Sequence, residues 1–314
     1  MDLSIVIPVF NEEGNLSQLF GELKSVLDSL GQTSEVIVVD DGSRDRSFSL
    51  IQEWSRKDSR FKGVRLSKNY GQTAAISAGL EKSEGKMIAF MDADLQNDPK
   101  DLPKLLQKLQ EGYDLVSGWR KHRKDPFFSK VLPSHWANWI IARITRVPLH
   151  DFGCTLKVYR SGFIKPLRLY GEMHRFVPTF ASFLGARMAE VEVNHRKRVS
   201  GNSKYGFSRI FKVSLDLVTV KFMEDYMAKP IYVFGGAGAI MGIVGALLAT
   251  VTLYYKFYVG IYVKDQPLFL VSIFFALIGF QLIFLGIIAE ILIRVYYELK
   301  DRPSYFVRET VGFN

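Results

Sequence analysis

Apolar and polar positions along the first part of this chain follow two alternating rhythms. Residues 3–9 are almost wholly apolar, as in a strand buried on both faces, and over 13–30 apolar residues recur at the three- and four-residue spacing of an amphipathic helix. The alternation continues. It predicts strands over 35–40, 63–66, 86–91 and 114–117, and helices over 45–56, 73–82 and 101–110. The second strand runs into the turn signal Asp41-Gly42-Ser43. A βαβ succession of this kind specifies an α/β fold with a mostly parallel sheet and helices on both faces.

Beyond Gly118 the rhythm loosens into the basic stretch Arg120-Lys121-His122-Arg123-Lys124. The segment 127–144 that follows carries Phe127, Phe128, Trp136 and Trp139, too many aromatic rings to stay solvated, so it packs on the sheet or touches lipid. From 207 to 222 the residues Phe207, Ile210, Phe211, Leu215, Val218 and Phe222 keep helical spacing with Arg209, Lys212 and Lys221 between them. That pattern suits an interfacial helix and a helix packed on the sheet equally. Residues 231–255 and 268–289 then contain no charged side chain. A helix rising about 1.5 Å per residue crosses a hydrocarbon core of about 30 Å in roughly 20 residues, so each run predicts a membrane span. The glycines Gly235, Gly236, Gly238 and Gly242 inside the first run fit close helix packing better than phosphate binding. The expected organisation is an α/β domain over 1–205, an amphipathic region over 206–230, two spans over 231–294 and a tail over 295–314.

Charge adds a direction. The formal net charge of +9 suits nucleic acid, an anionic membrane surface or a phosphorylated substrate, and the apolar runs favour the last two over a nucleic-acid partner. Lys221, Lys229, Arg294, Lys300, Arg302 and Arg308 flank the runs on their outer sides, whereas the connection between them holds only Lys256 and Lys264 as basic residues. The positive-inside rule then predicts an inner-membrane protein with both termini and the α/β domain in the cytoplasm. The first apolar stretch has no basic residues ahead of it and is interrupted by Asn11 and Glu12, which is unlike a signal peptide. A single cysteine, Cys154, allows no internal disulfide and fits a reducing compartment.

Candidate chemistry gathers where the predicted strands end, the edge at which open α/β sheets bind ligands. The first strand leads into Asn11-Glu12, the second into Asp40-Asp41 and the fourth into Asp92-Ala93-Asp94-Leu95-Gln96. No G-x-G-x-x-G follows the first strand, which argues against a dinucleotide-binding domain. Asp92 and Asp94, two residues apart, repel each other unless a cation intervenes, and Mg²⁺ or Mn²⁺ prefers such oxygen ligands together with water and phosphate. D-G-S is also ordinary turn chemistry, so Asp40 and Asp41 equally fit a solvated turn.

The motifs Ser4-Ile5-Val6-Ile7-Pro8-Val9-Phe10-Asn11-Glu12, Val38-Val39-Asp40-Asp41-Gly42-Ser43 and Met91-Asp92-Ala93-Asp94-Leu95-Gln96 resemble those of glycosyltransferase family 2. With Asn69-Tyr70-Gly71-Gln72, Asp151-Phe152-Gly153-Cys154 and Arg198-Val199-Ser200-Gly201-Asn202-Ser203-Lys204, the chain is similar over nearly its whole length to the polyprenyl-phosphate glycosyltransferases, most of all the bactoprenol glucosyltransferases. The resemblance implies a GT-A type nucleotide-sugar domain in which Pro8, Glu12 and Asp41 line the nucleoside pocket. A carboxylate there can accept the imide N–H of uracil or the N–H edge of guanine, so the base stays open. It further implies that Asp92 faces the ribose or diphosphate, that Asp94 and Gln96 hold the metal, and that Arg198 approaches the diphosphate with Lys204 assisting. Arg120 resembles the arginine that binds the acceptor phosphate. Arg123 suits the same task, while Lys121 and Lys124 suit anionic headgroups. Asp151 stands where the family places its proposed base, although a phosphate monoester already mostly dianionic at neutral pH barely needs one, so Asp151 equally fits orientation of sugar or acceptor. The implied reaction is inverting transfer of a hexose, glucose from UDP-glucose, to undecaprenyl phosphate on the cytosolic face by a homo-oligomer, a tetramer by the related proteins. The alternatives are the same reaction with GDP-mannose and a non-catalytic lipid-sugar flippase component. A processive synthase is disfavoured by the absence of Q-x-x-R-W and by too few spans.

Overall fold

The computed structural model describes residues 1–122, 132–167, 169, 173–197, 230–298 and 305–313. Arg123, Lys124, Arg198, Lys204 and the amphipathic segment 207–222 lie outside the described residues. The chain forms two compact units, Met1–Val218 with Pro303–Asn314, and Thr219–Arg302.

In the first unit the predicted alternation is realised as β1 (Leu3–Val9), α1 (Glu13–Leu30), β2 (Ser34–Asp40), α2 (Ser47–Lys57), β3 (Phe61–Leu66), α3 (Gln72–Lys82), β4 (Met87–Phe90), α4 (Leu102–Gln110) and β5 (Leu115–Trp119). Apolar spacing determines which face each helix buries. Leu16, Leu19, Phe20 and Leu23 of α1 are fully buried against Ile5, Ile7, Val36 and Val38 of the sheet, together with Phe48 and Ile51 of α2 and Leu102, Leu105 and Leu109 of α4. Truncating any one of the four α1 side chains to alanine should cost about 2–5 kcal/mol. The opposite face of the sheet is covered by α3, which offers small residues to it. Ala75 and Ala78 are buried there, and a Cβ on Gly79 would stand 2.4 Å from Val6 Cγ1.

After β5 the chain continues through α5 (Leu132–Thr145), β6 (Lys157–Arg160), the single turn α6 (Ser161–Ile164), α7 (Val177–Phe183) and β7 (Met188–Glu192). Within α5, part of the segment predicted to pack or meet lipid, Ile141 is buried and Trp139 is 62% exposed. The last strand, β8 (Val307–Val311), comes from the C-terminal tail. All eight strands form one sheet in the order β7-β5-β6-β4-β1-β2-β3-β8. Strands β1 to β4 are parallel, β6 runs antiparallel between β4 and β5, β7 is parallel to β5, and β8 is antiparallel to β3. Because β1 pairs with β2 on one side and β4 on the other, the winding reverses at β1. The loops after β1, β2 and β4 therefore open at a topological switch point, where α/β sheets bind ligands.

The second unit contains α8 (Pro230–Tyr254), a π turn over Tyr255–Val259, a short 3₁₀ turn over Val263–Asp265 and α9 (Pro267–Glu298). Two stretches, Pro230–Val259 and Pro267–Leu292, are long and apolar enough to cross a membrane. Small residues let the helices touch backbone to backbone. A Cβ on Gly238 would lie 2.6 Å from the Gly279 carbonyl oxygen, and one on Gly245 2.9 Å from that of Ser272, so the helices are antiparallel and the glycines serve packing. Their outer faces carry Leu247, Leu277 and Phe280, each more than 60% exposed, as expected of side chains that meet lipid rather than water.

Candidate active site

The turns after β1 and β2 are tied together by side-chain bonds. Asn11 takes a left-handed conformation at φ 56°, in which its N–H donates to Ser43 Oγ at 2.9 Å and its Oδ1 accepts the Arg44 N–H at 2.9 Å. One residue later the Glu12 N–H donates to Ser47 Oγ at 2.9 Å, and Glu12 Oε2 accepts from Asn15 at 2.6 Å. Gly42 has φ 72°, and a Cβ there would stand 2.5 Å from the Lys68 carbonyl carbon. This close approach brings the third loop to Asp41, whose carboxylate accepts the Tyr70 N–H at 2.7 Å and the Gly71 N–H at 2.9 Å. Burial still raises the Asp41 pKa, the two N–H donors offsetting only part of the cost. Asp40 is buried beneath it, 3.3 Å from Arg65 Nε. Pro8, half-buried and paired with Val39, sits with Glu12 and Asp41 at this edge of the sheet. Neither aspartate is a solvated turn residue, since Asp40 and Asp41 are 0% and 3% exposed.

The acidic turn after β4 is built differently. Leu95 is buried at φ 61°, an uncommon conformation for a branched residue, and the turn it makes lets Asp94 Oδ1 accept the Gln96 N–H at 3.1 Å. Asp92 is spoken for by two other loops. Its Oδ1 accepts from Gln72 Nε2 at 2.8 Å and its Oδ2 from Thr155 Oγ1 at 2.6 Å. Burial, and then the neighbouring Asp94 charge, push the Asp92 pKa up to about 6. Gln96 meets a residue that the motifs did not single out, with its Nε2 3.5 Å from Nε2 of the buried His195. The Arg196 N–H also donates to the Gln96 carbonyl at 3.0 Å, so the segment before Arg198 runs alongside this turn. Among the described residues no three His, Cys, Asp or Glu side chains converge on one point. The donor set still fits a hard divalent cation, because Asp94 and Gln96 offer oxygens on one tight turn next to Asp92, whose pKa the Asp94 charge helps to raise. Such an ion normally completes its shell with water and substrate phosphate.

The third group lies at the end of β5. Arg120, just past the strand, donates through Nε to Asp151 Oδ2 at 2.7 Å and through Nη2 to Asp151 Oδ1 at 2.9 Å. The two residues to which the resemblance gives separate tasks are thus bonded to each other. Burial works against the guanidinium charge, but Asp151 outweighs it and raises the Arg120 pKa. Gly153 leaves room for this pair, since a Cβ there would stand 3.0 Å from Arg120 Nη2. Beneath it Lys157 on β6 is buried and donates to the Phe152 carbonyl at 3.2 Å and to that of Cys154, which fixes the loop carrying both Asp151 and Thr155. The same loop thereby holds Arg120 and Asp92.

Known proteins match this chain in sequence and in fold. The profile described as Glycosyl transferase family 2 covers residues 4–183, from β1 into α7. The chain belongs to glycosyltransferase family 2. Within the family it is 41% identical over 313 residues to a dodecaprenyl-phosphate galacturonate synthase of Rhizobium johnstonii, which covers 98% of this chain and 93% of the relative. It is 38% identical over 309 residues to an undecaprenyl-phosphate 4-deoxy-4-formamido-L-arabinose transferase of Shewanella sediminis, covering 98% and 92%. In fold it is similar to glucosyl-3-phosphoglycerate synthase of Mycobacterium tuberculosis, solved with Mn²⁺, UDP and phosphoglyceric acid, at a TM-score of 0.54 and 17% identity over 71% of this chain and 78% of that one. The GT-A type domain expected of the first unit is therefore present, on a mixed sheet with a parallel centre.

Proposed function

We propose that this family 2 glycosyltransferase moves a sugar from a nucleotide donor to the phosphate of a polyprenyl phosphate, with inversion. The observation that carries the reading is the Arg120–Asp151 pair at the same sheet edge as Asp92 and Asp94. A guanidinium whose Nε and Nη2 are bonded to Asp151 keeps further N–H donors that suit a phosphate, beside the edge where a nucleoside diphosphate would depart. The long relatives named for dodecaprenyl and undecaprenyl phosphate support it, as do the two candidate spans, because a polyprenyl chain stays in the bilayer and only its phosphate head reaches a water-soluble donor.

In this reading Pro8, Glu12 and Asp41 receive the nucleoside, Asp92 faces the ribose or diphosphate, and Arg198 with Lys204 contributes cations to the diphosphate. Arg120, helped by Arg123, holds the acceptor phosphate. An oxygen of that phosphate attacks the anomeric carbon while the bond from that carbon to the nucleoside diphosphate breaks on the opposite face. The acceptor needs little deprotonation, so Asp151 serves to orient Arg120 more than to remove a proton. Asp94 and Gln96 would hold Mg²⁺ or Mn²⁺, which when bound neutralises charge on the departing diphosphate, and the Mn²⁺ bound by the mycobacterial enzyme supports divalent metal use.

The resemblance to bactoprenol glucosyltransferases implies UDP-glucose, whereas the relatives are named for galacturonate and 4-deoxy-4-formamido-L-arabinose, neither of which carries the hydroxymethyl group of glucose. The deciding experiment supplies the purified protein with undecaprenyl phosphate, Mg²⁺ and, in parallel, uridine- and guanosine-diphosphate sugars bearing glucose, mannose, galacturonic acid or the formamido-arabinose. The donor whose sugar enters the lipid fraction is the substrate. If none enters, and no nucleoside diphosphate is released on mixing donor and lipid, the transferase reading fails and a carrier role takes its place.

A further inference from the structure

We propose that Glu190 is the positioning residue that sets the Asp151–Arg120 pair for the acceptor phosphate, an inference that rests on the polyprenyl-phosphate reading above. Glu190 stands on β7 opposite Ser117 of β5, so its backbone is anchored in the sheet, and its side chain is 10% exposed. That carboxylate is spent on one dipeptide of the loop before β6. Its Oε1 accepts the backbone N–H of His150 at 2.8 Å and that of Asp151 at 3.1 Å, and its Oε2 lies 2.7 Å from His150 Nδ1. The His150 ring stacks on Trp119, the residue before Arg120, with centroids 4.7 Å apart and planes 21° apart.

The dependence runs in one direction. The sheet holds Glu190, Glu190 holds the backbone at 150–151, and Asp151 holds the guanidinium through two of its five N–H donors, leaving others for a phosphate oxygen. From Val147 to His150 the approach to Asp151 has no helix or strand, so without Glu190 both backbone N–H groups lose their acceptor and the loop is held only from its far side, where Lys157 binds the Phe152 carbonyl and the Gly153 N–H donates to Asp151 Oδ1. A guanidinium reads phosphate through a rigid fork, and a displacement of about 1 Å can cost on the order of 10²-fold in a positioned reaction. Glu190 touches neither substrate. Its effect should therefore fall on the acceptor and spare the donor, whose contacts lie at the ends of β1, β2 and β4.

The test uses the full-length protein in detergent, with donor and undecaprenyl phosphate varied separately. Glu190→Ala should raise the acceptor KM on the order of 10-fold or more and leave the donor KM within about twofold. Glu190→Gln keeps an oxygen for both N–H groups and offers its amide N–H to a neutral His150 Nδ1, so it should restore the acceptor KM to within about threefold of wild type. His150→Ala, which retains the two backbone bonds, should move that KM less than Glu190→Ala does. Where Glu190→Ala does not fold, Glu190→Asp gives the same reading, since it keeps the charge but falls one methylene short. An acceptor KM unchanged in Glu190→Ala or Glu190→Asp, or donor and acceptor KM rising together, overturns the inference while the function stands. A wild-type protein that loads no sugar onto the lipid removes the function and the inference with it.

Discussion

Asp151 grips Arg120 through bonds of 2.7 and 2.9 Å, and the space beside them is kept open by the missing side chain at Gly153. Gly153→Ala places a methyl 3.0 Å from Arg120 Nη2, which is tight enough to push the guanidinium aside yet too small to unfold the loop. The expected outcome is an acceptor KM raised on the order of 10-fold with little change in the donor KM, measured by steady-state kinetics. An unchanged acceptor KM would show that Arg120 does not hold the phosphate. Asp94 is tested differently. Asp94→Ala removes a proposed oxygen ligand and the acceptor for the Gln96 N–H, so turnover should fall on the order of 10³-fold. Full activity in that variant would exclude the metal assignment. Asp94 was legible in the sequence because acidic positions stand out after a predicted strand, whereas Gly153 entered only within the run Asp151-Phe152-Gly153-Cys154 that carries the family resemblance. Glu190, His195 and Lys157 were not legible, since each acts on a partner distant in sequence and nothing in their own neighbourhood marks them.

At the scale of elements the parallel half of the sheet was legible nearly to the residue, because each of its strands is a short apolar run bounded by turn signals. Strands β6, β7 and β8 were not. Lys157, Glu190 and Arg308 interrupt them, so they lack the apolar continuity of a central strand, and β8 is exposed along most of its length. The opposite edge of the sheet shows how the parallel strands are joined at their start. Glu35 at the head of β2 is 0% exposed, accepts from Ser4 at 2.6 Å and from the Glu84 N–H at 2.8 Å, and pairs with Lys62 at 2.8 Å. Burial alone would raise its pKa, but the Lys62, Ser4 and Glu84 donors together outweigh burial and lower it from the ordinary value of 4.5. A carboxyl depressed in the folded state contributes stability above its unfolded value and loses it as pH falls through the folded one. Wild-type protein should therefore lose stability on acidification below about pH 4.5, whereas Glu35→Gln should be less stable at pH 7 by about 1–3 kcal/mol and less sensitive to acid. Denaturant unfolding followed by the fluorescence of Trp54, which packs on Phe20 and Phe61 at this end, gives the comparison, and parallel pH profiles for the two proteins would refute it.

At the scale of the whole molecule, the tail strand restricts the membrane topology. The chain reaches β8 only after passing through both α8 and α9, yet β8 pairs with β3 in the sheet that contains β1. A sheet cannot be assembled from strands on opposite sides of a bilayer, so if the two apolar helices are spans they must return the chain to the side on which it began. Charge then selects that side. Arg294, Lys300, Arg302 and Arg308 follow the second apolar run and Lys221 and Lys229 precede the first, against Lys256 and Lys264 between the two runs, so the positive-inside rule predicts the sheet in the cytoplasm and the turn around Tyr262 outside. The native cysteine makes this testable without removing it, since Cys154 is fully buried and burial pushes its thiol up to about 11, so it should not react. Tyr262→Cys, at a position 69% exposed between the two candidate spans, should label with a membrane-impermeant maleimide in intact cells. Phe306→Cys, at a position 73% exposed beside β8, should label only after permeabilisation. Labelling of Phe306→Cys in intact cells would put the sheet outside, away from cytosolic nucleotide sugars, and would overturn the assignment of the catalytic unit to the cytoplasm.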